Sequence, residues 1–335
     1  MRFLFLGLGS IGERHVRNLY ALGYRDFVAY RTSERVASAE IECGVRRVRS
    51  LEDGFSVRPD AVFITNPTVF HARDTLAALA EGGHVFVEKP LAASAEHVEE
   101  IFAAAEAKKR CVYVGYHLRF HPLLRAIKKA VDEREVGDPI AARISVGQFL
   151  PDWHPNEDYR SSYAALRELG GGVILTLSHE IDYALWLFGA VRSVYCLGGH
   201  KSNLDIDVED VADILLEFES GCIGALHLDY LARPPRRDFS LVGTGGQIEW
   251  DYFSNCASIF SRTSAASPRR VGLDEPFDKN QMYLDEVVHF LRVIRGEEES
   301  QVPLSEAVAT LDVALAARES LETGAIVRLP QRSHE

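Results

Sequence analysis

The chain has 335 residues, 47% hydrophobic and 26% charged, which excludes extensive disorder and suits two closely packed domains better than one ordinary domain of about 100–200 residues. Its 49 acids against 37 bases leave a formal charge of -12, so generic binding to nucleic acid or to an anionic membrane would work against long-range repulsion, and neither partner is expected. Five cysteines (Cys43, Cys111, Cys196, Cys222, Cys256) are scattered and odd in number. Spaced like neither zinc ligands nor a redox pair, they point to a reducing cytoplasm and to chemistry without a metal.

The apolar opening Phe3 to Leu6 is followed closely by Glu13, Arg14 and His15 and lacks a small-residue cleavage signal, so it reads as a first strand rather than a secretory segment. No apolar run reaches the roughly 18 residues of a spanning helix. Apolar runs then alternate with helical patterns: a helix over 11–22, strands at 27–30 and 61–64, a helix over 71–80, a strand at 85–87, a helix over 96–109 and a strand at 111–114. This alternation predicts parallel βαβ units closing a doubly wound α/β sheet near residue 120. Beyond it, strands of alternating polarity (141–149, 191–197, 210–218, 221–231, 238–242) with helices over 123–132, 178–188, 281–295 and 305–321 predict a second, α+β domain on a largely antiparallel sheet. Residues 261–279 read as an exposed connection and 331–335 as a loose tail.

Gly7-Leu8-Gly9-Ser10-Ile11-Gly12 has the GxGxxG spacing directly after the first strand and at the start of the first helix. In that context Gly7 allows the tight turn, Gly9 admits a pyrophosphate against backbone, and Gly12 lets helix and strand pack closely. The motif therefore predicts a dinucleotide site, with Ser10 and Ile11 in the phosphate-facing turn. At the end of the second strand, where an acid would bind a ribose diol, stands Tyr30-Arg31-Thr32-Ser33. A guanidinium beside two hydroxyls suits a 2′-phosphate, which favours NADP slightly over NAD, with Glu34 available to the ribose. Asn66 and Pro67 follow the strand at 61–64 and are expected to border the cofactor at the same edge, together with His71, which opens the helix beyond.

Glu88-Lys89-Pro90 ends the strand at 85–87. Together with the glycine motif, Asn66-Pro67, Gly170-Gly171-Gly172 and His179, it resembles the glucose-fructose oxidoreductase, inositol dehydrogenase and rhizopine-catabolism (Gfo/Idh/MocA) family over essentially the whole chain. The resemblance implies a Rossmann domain over 1–120 and a domain over 121–330 whose open antiparallel sheet serves substrate binding and oligomerisation, as a homodimer or homotetramer. It further implies that Lys89 lies near nicotinamide and substrate, where a cation stabilises charge developing on oxygen and assists proton transfer, with Glu88 and Pro90 shaping its turn. His179 matches the family's histidine and is the leading acid/base candidate, with Lys89 its rival. Thr176 falls where the family commonly carries an aspartate, at a spacing one residue shorter, and a threonine can only hydrogen-bond. Asp182 would hold the helix or the imidazole. His117, in place of a frequent asparagine, and Arg119 are expected in the substrate pocket, while His121 before Pro122 is as readily a helix cap. Gln148, Trp153, Tyr159 and Arg160 form a polar and aromatic group suited to a sugar ring and its hydroxyls. Acids at 205, 207, 209, 210 and 213 read as a solvated face.

These features imply an NAD(P)-dependent oxidoreductase moving hydride between nicotinamide and a secondary alcohol or ketone of a sugar, cyclitol, aminosugar or nucleotide sugar, with specialised glycan or antibiotic-sugar biosynthesis as a context. The alternatives are a glycosidase that oxidises its substrate transiently and a nucleotide-binding regulator without turnover.

Overall fold

The computed structural model describes residues 1–33, 36–155, 157–261, 267–273 and 277–330. Glu34 and the C-terminal five residues lie outside them. The chain divides into two compact units, Met1–His117 with Lys279–Val308, and Leu118–Asp278 with the residues from Ala309 onward.

In the first unit the elements run β1 (Arg2–Leu6), α1 (Ser10–Ala21), β2 (Asp26–Tyr30), α2 (Ser38–Glu42), β3 (Arg46–Val48), α3 (Leu51–Ser56), β4 (Ala61–Ile64), α4 (His71–Ala80), β5 (His84–Glu88), α5 (Val98–Lys108) and β6 (Val112–Gly115). The sheet is wholly parallel in the order β3-β2-β1-β4-β5-β6. Its central strands are apolar at nearly every position because helices cover both faces. The order in which strands are added reverses between β1 and β4, and doubly wound sheets bind ligands at the carboxyl ends of such a switch point.

One face carries an aromatic ladder. Phe5, Phe63, Phe86 and Tyr113 pair in register across β1, β4, β5 and β6 and stack with ring centroids 4.9, 4.8 and 5.6 Å apart. Phe290, from the helix over 280–294, stands edge-on against Phe63, Phe86 and Tyr113 at 5.5–5.7 Å. Covering this ladder gives the returning segment its place in the first unit, although the sequence places 279–308 with the second. Helical periodicity shows that a face is apolar, not which sheet it covers.

The second unit begins with α6 (Pro122–Asp132), β7 (Pro139–Gly147), α7 (Val173–Thr176) and α8 (His179–Phe188). It continues through β8 (Val191–Gly199), β9 (Val211–Phe218), β10 (Ile223–Asp229), β11 (Arg236–Gly243), β12 (Gly246–Asp251), β13 (Cys256–Ser261) and β14 (Arg269–Gly272). The helix over 280–294 is α9 (Asn280–Ile294), and α10 (Leu304–Thr323) and β15 (Val327–Arg328) close the chain. The nine strands lie in the order β14-β13-β12-β11-β7-β10-β9-β8-β15. Every neighbouring pair is antiparallel except β7 with β10. Strand β14 is largely exposed, as expected of the connection over 261–279, but it pairs with β13 as a strand that the sequence reading did not foresee; residues 262–266 and 274–276 lie outside the described residues. It is a short, Arg-bearing edge strand without period-two apolarity, which leaves no strand signal to read. On β9, Ala212, Ile214, Leu216 and Phe218 are buried while Asp213, Leu215 and Glu217 are exposed, the alternation of a sheet with one open face. No helix among the described residues is long and apolar enough to cross a membrane.

His121 caps α6. Its Nδ1 accepts from Leu123 N at 3.2 Å, with Pro122 at the first helical position, and its ring packs against Trp250, Tyr252 and Phe277. Burial, with the nearby Arg237 cation, pushes its pKa from 6.5 down to about 4. Between those values the unfolded chain binds the extra proton, so stability falls as pH drops from about 6.5 through 4, by about 3 kcal/mol for this group alone. His121→Asn keeps a capping side chain and loses the titration. The stability gap between the two proteins, from urea melts, should narrow by about 3 kcal/mol between pH 7 and pH 4; parallel curves would contradict this assignment.

Candidate active site

Three turns of the first unit meet the carboxyl edge of the sheet after β1, β4 and β5. The first is shaped by crowding. Gly7 has φ +94°, and a Cβ there would sit 2.8 Å from Asn66 N; at Gly12 a Cβ would lie 2.8 Å from Thr65 Oγ1. Thr65 Oγ1 donates to Gly7 O at 2.9 Å, tying the β4 turn to the β1 turn. At Gly9, by contrast, a Cβ would meet nothing within 4 Å. Gly9 and Ser10 are exposed and Ile11 is half-buried, so the start of α1 presents open backbone N–H groups where the helix dipole favours an anion. These residues fit a dinucleotide pyrophosphate.

At the end of β2, Arg31 does not stand alone. Its Nη1 donates to Glu40 Oε1 at 2.7 Å, and Arg47 Nη2 donates to the same oxygen at 2.9 Å. Burial works to raise the Glu40 carboxyl, but bonds from Arg47, Ala37 N and Arg31 hold it below its ordinary value. One carboxylate between two guanidiniums leaves the group with a net positive charge. Thr32 and Ser33 are exposed beside it, and Ser33 O accepts from Arg47 at 3.3 Å.

Asn66 Nδ2 donates to Asp74 Oδ2 at 2.7 Å, and Pro67 is half-buried. His71, expected to line the cofactor, is buried instead, with Nδ1 2.8 Å from Pro90 O and Nε2 2.9 Å from Asn66 O. Burial draws its pKa below the ordinary value against the pull of these carbonyls. Glu88 is buried as well. Its Oε1 lies 2.8 Å from His15 Nε2 and its Oε2 accepts from Lys89 N at 3.3 Å. Lys89 itself is half-buried and Pro90 buried behind a cis bond. His117 stacks on Tyr283 of α9 at 4.1 Å, with the Arg14 guanidinium 4.5 Å from the same tyrosine ring. The sequence reading missed His15, Arg14 and Tyr283. His15, four residues past Ile11 on α1, lay within reach of a helical-face argument, whereas the Tyr283 contact spans more than 160 residues of chain.

In the second unit the triple glycine is dictated by its surroundings. Gly170 and Gly172 have φ +81° and +101°; a Cβ on Gly171 would lie 2.5 Å from Tyr163 O, and one on Gly172 2.2 Å from Glu209 Oε1. Glu209 then caps α7: its carbonyl accepts from Val173 N at 3.1 Å and its Oε1 from Ile174 N at 3.3 Å. Burial raises its pKa. Asp210 is also buried, accepting from Lys201 N and Ser202 N at 2.7 and 3.1 Å. The solvated-face reading thus holds for Asp205, Asp207 and Asp213 but not for Glu209 and Asp210, which are buried and satisfy backbone donors.

Thr176 ends α7 and His179 opens α8, both buried. Thr176 lies within hydrogen-bond reach of the Tyr230 hydroxyl, which donates to Ala164 O at 3.3 Å. Arg119, expected in the substrate pocket, is fully buried with Nε and Nη2 on Asp182 Oδ2 and Oδ1 at 2.9 and 2.7 Å. Asp182 therefore holds Arg119 to α8 through a bidentate pair. Trp153 Nε1 donates to Gln148 O at 3.2 Å and its ring meets Tyr230 edge-on at 5.4 Å. Tyr159 Oη accepts from Asp205 N at 3.2 Å, and exposed Arg160 forks onto Asp158. The structure thus pairs Gln148 with Trp153, and Tyr159 with the 205 loop.

Residues 1–116 match the oxidoreductase family with an NAD-binding Rossmann fold, and residues 124–249 match the GFO/IDH/MocA C-terminal domain. The chain belongs to the Gfo/Idh/MocA family. Myo-inositol 2-dehydrogenase of Thermotoga maritima is 25% identical, with 99% of each chain covered. D-xylose 1-dehydrogenase (NADP(+)) 2 of Haloferax volcanii is 26% identical over 98% of this chain and 100% of that one. A solved levoglucosan dehydrogenase in complex with NADH shares the fold with a TM-score of 0.89 at 19% identity, covering 99% of this chain and 100% of the other. Gfo/Idh/MocA membership accounts for the six-stranded parallel sheet followed by a mostly antiparallel one.

Proposed function

We propose that this member of the family is an NAD(P)-dependent dehydrogenase or ketoreductase acting on a secondary alcohol or ketone of a sugar or cyclitol. The observation that carries the reading is a glycine turn with open backbone at Gly9 and, on the same sheet edge, a half-buried Lys89 whose flanking residues are anchored in the core. Relatives named for myo-inositol and D-xylose support the substrate class. The bound nicotinamide supplies or accepts the hydride. Gly7, Gly9, Ser10, Ile11 and Gly12 hold the pyrophosphate, and Asn66 and Pro67 border the dinucleotide. Lys89 stabilises negative charge on the substrate oxygen, and Lys89 or His179 exchanges its proton. Thr176, His117, Gln148, Trp153, Tyr159 and Arg160 are the remaining substrate-contact candidates.

Arg31 and Arg47, sharing Glu40, form the cation that favours NADP through its 2′-phosphate. We place the enzyme in the cytoplasm, in keeping with five free cysteines. We also place homo-oligomer contacts on the open sheet face, where Leu197, Leu215, Ile223 and Val242 are exposed on one side; sedimentation of Leu215→Glu should show dissociation to monomer, and an unchanged assembly would remove this face.

The first experiment titrates the protein with NADH and NADPH by fluorescence and follows cofactor absorbance with myo-inositol, D-xylose, levoglucosan and nucleotide sugars. Cofactor binding with turnover is expected, and absence of binding refutes the reading. Lys89→Ala should lower turnover about 10²-fold or more while cofactor affinity stays within about twofold; unchanged turnover removes Lys89 from the chemistry. Arg31→Ala should weaken NADPH about tenfold, the loss of one charged hydrogen bond, and NADH far less. Equal losses would contradict the phosphate contact.

A further inference from the structure

Two buried histidines grip the turn that carries Lys89, one on each flank. On the Glu88 side, His15 of α1 places Nε2 2.8 Å from Oε1, and the other carboxylate oxygen meets Lys89 N at 3.3 Å. The His15 ring is wedged by Phe86 at 4.9 Å and Phe63 at 5.6 Å, so the grip is set in the aromatic core. On the Pro90 side, His71 of α4 reaches Pro90 O at 2.8 Å from one ring edge and Asn66 O at 2.9 Å from the other. Asn66 is fastened in turn to Asp74. Both carbonyls only accept, so the ring donates to the two at once as the imidazolium, with an N–H on each of two edges, and in its neutral form donates to one of them.

A lysine joins a flexible four-carbon stem to a point charge, so the aim of its ammonium depends on how firmly its backbone is held. Neither histidine has open access to a ligand, since both are buried within the first unit. We propose that His71 is a positioning residue for Lys89, bridging the turn after β4 to the Glu88-Lys89-Pro90 turn after β5, with His15 fixing the Glu88 end of that turn. The proposal rests on the reading of Lys89 as catalytic and adds to it the device that aims the ammonium. The turn against the cofactor edge and the turn bearing the lysine then move as one piece, and a displacement of about 1 Å at a reacting group costs about 10²-fold in rate.

The test uses the full chain and two readouts. In the first, lysines of the unliganded protein are acetylated with limiting acetic anhydride across a pH series and quantified by mass spectrometry. His71→Gln should shift the rate or apparent pKa of Lys89 and leave Lys108, Lys128 and Lys201 unchanged. An unaltered Lys89 profile overturns the proposal. In the second, turnover is measured in a double-mutant cycle. His71→Gln should lower kcat about 10²-fold beside Lys89 and have no further effect beside Lys89→Ala, with NADH affinity nearly constant; an equal loss in both backgrounds overturns the proposal. Failure of the underlying reading looks different, because Lys89→Ala alone would then retain full turnover while the acetylation profile still decides the positioning role. His15→Phe keeps a ring among the same aromatic neighbours and tests the other grip by the same acetylation, should His71→Gln fold poorly.

Discussion

The register of four parallel strands governs the first unit, and stacked rings set it. Phe5, Phe63, Phe86 and Tyr113 lie opposite one another on β1, β4, β5 and β6. Each ring contributes a large apolar area and a preferred stacking geometry with its neighbours. A one-residue slip would turn the rings to the other face and break the stack. With the strands locked in this register, Leu6, Ile64, Val87 and Val114 end level with one another, and the turns that follow them share one edge. The turns bearing Gly9, Asn66 and Lys89 follow adjacent strands at that edge. The same rings pack around His15, so the core that sets the register also holds Glu88.

Crowding explains the glycines better than flexibility does. Gly7 and Gly12 are small because Asn66 and Thr65 approach within contact distance, whereas Gly9 stands open. In the second unit, Gly171 and Gly172 are small because the Tyr163 carbonyl and the Glu209 carboxylate occupy the space. Glu209 and the Arg119–Asp182 pair are charged groups removed from water, and such groups are tolerated only with several hydrogen bonds. Here those bonds are spent on the start of α7 and the flank of α8, the two helices that bring Thr176 and His179 to adjacent ends. Thr176, in place of the family's aspartate, leaves His179 without a carboxylate at that position and puts a hydroxyl beside Tyr230.

The end of β2 has a similar logic at the surface. Glu40 offsets one of two arginines and holds both guanidiniums in a fixed orientation. An acid at the strand end would have served a ribose diol. Here the acid stands on α2 and faces the arginines.

The glycine spacing after an apolar strand, the alternation of strand and helix over the first third, and Glu88-Lys89-Pro90 were legible in the sequence by itself, because each is local chemistry: a backbone conformation, a periodicity, a charge beside a turn. With Asn66-Pro67, Gly170-Gly171-Gly172 and His179 they carried the family, and the alternating polarity of the later strands gave the second, largely antiparallel sheet. What only the tertiary structure decided concerns partners distant in the chain. Arg119 and Asp182 look like pocket and helix residues until folding makes them a buried pair; Glu209 reads as one acid in a solvated run until Gly172 leaves it room to cap α7; His71 reads as a lining residue until both its nitrogens meet carbonyls. Helix α9 joins the first unit by covering its aromatic ladder, a destination that an apolar helical stripe does not announce. Short-range order is written in neighbouring residues, whereas burial and pairing of charged groups depend on which surfaces the chain brings together.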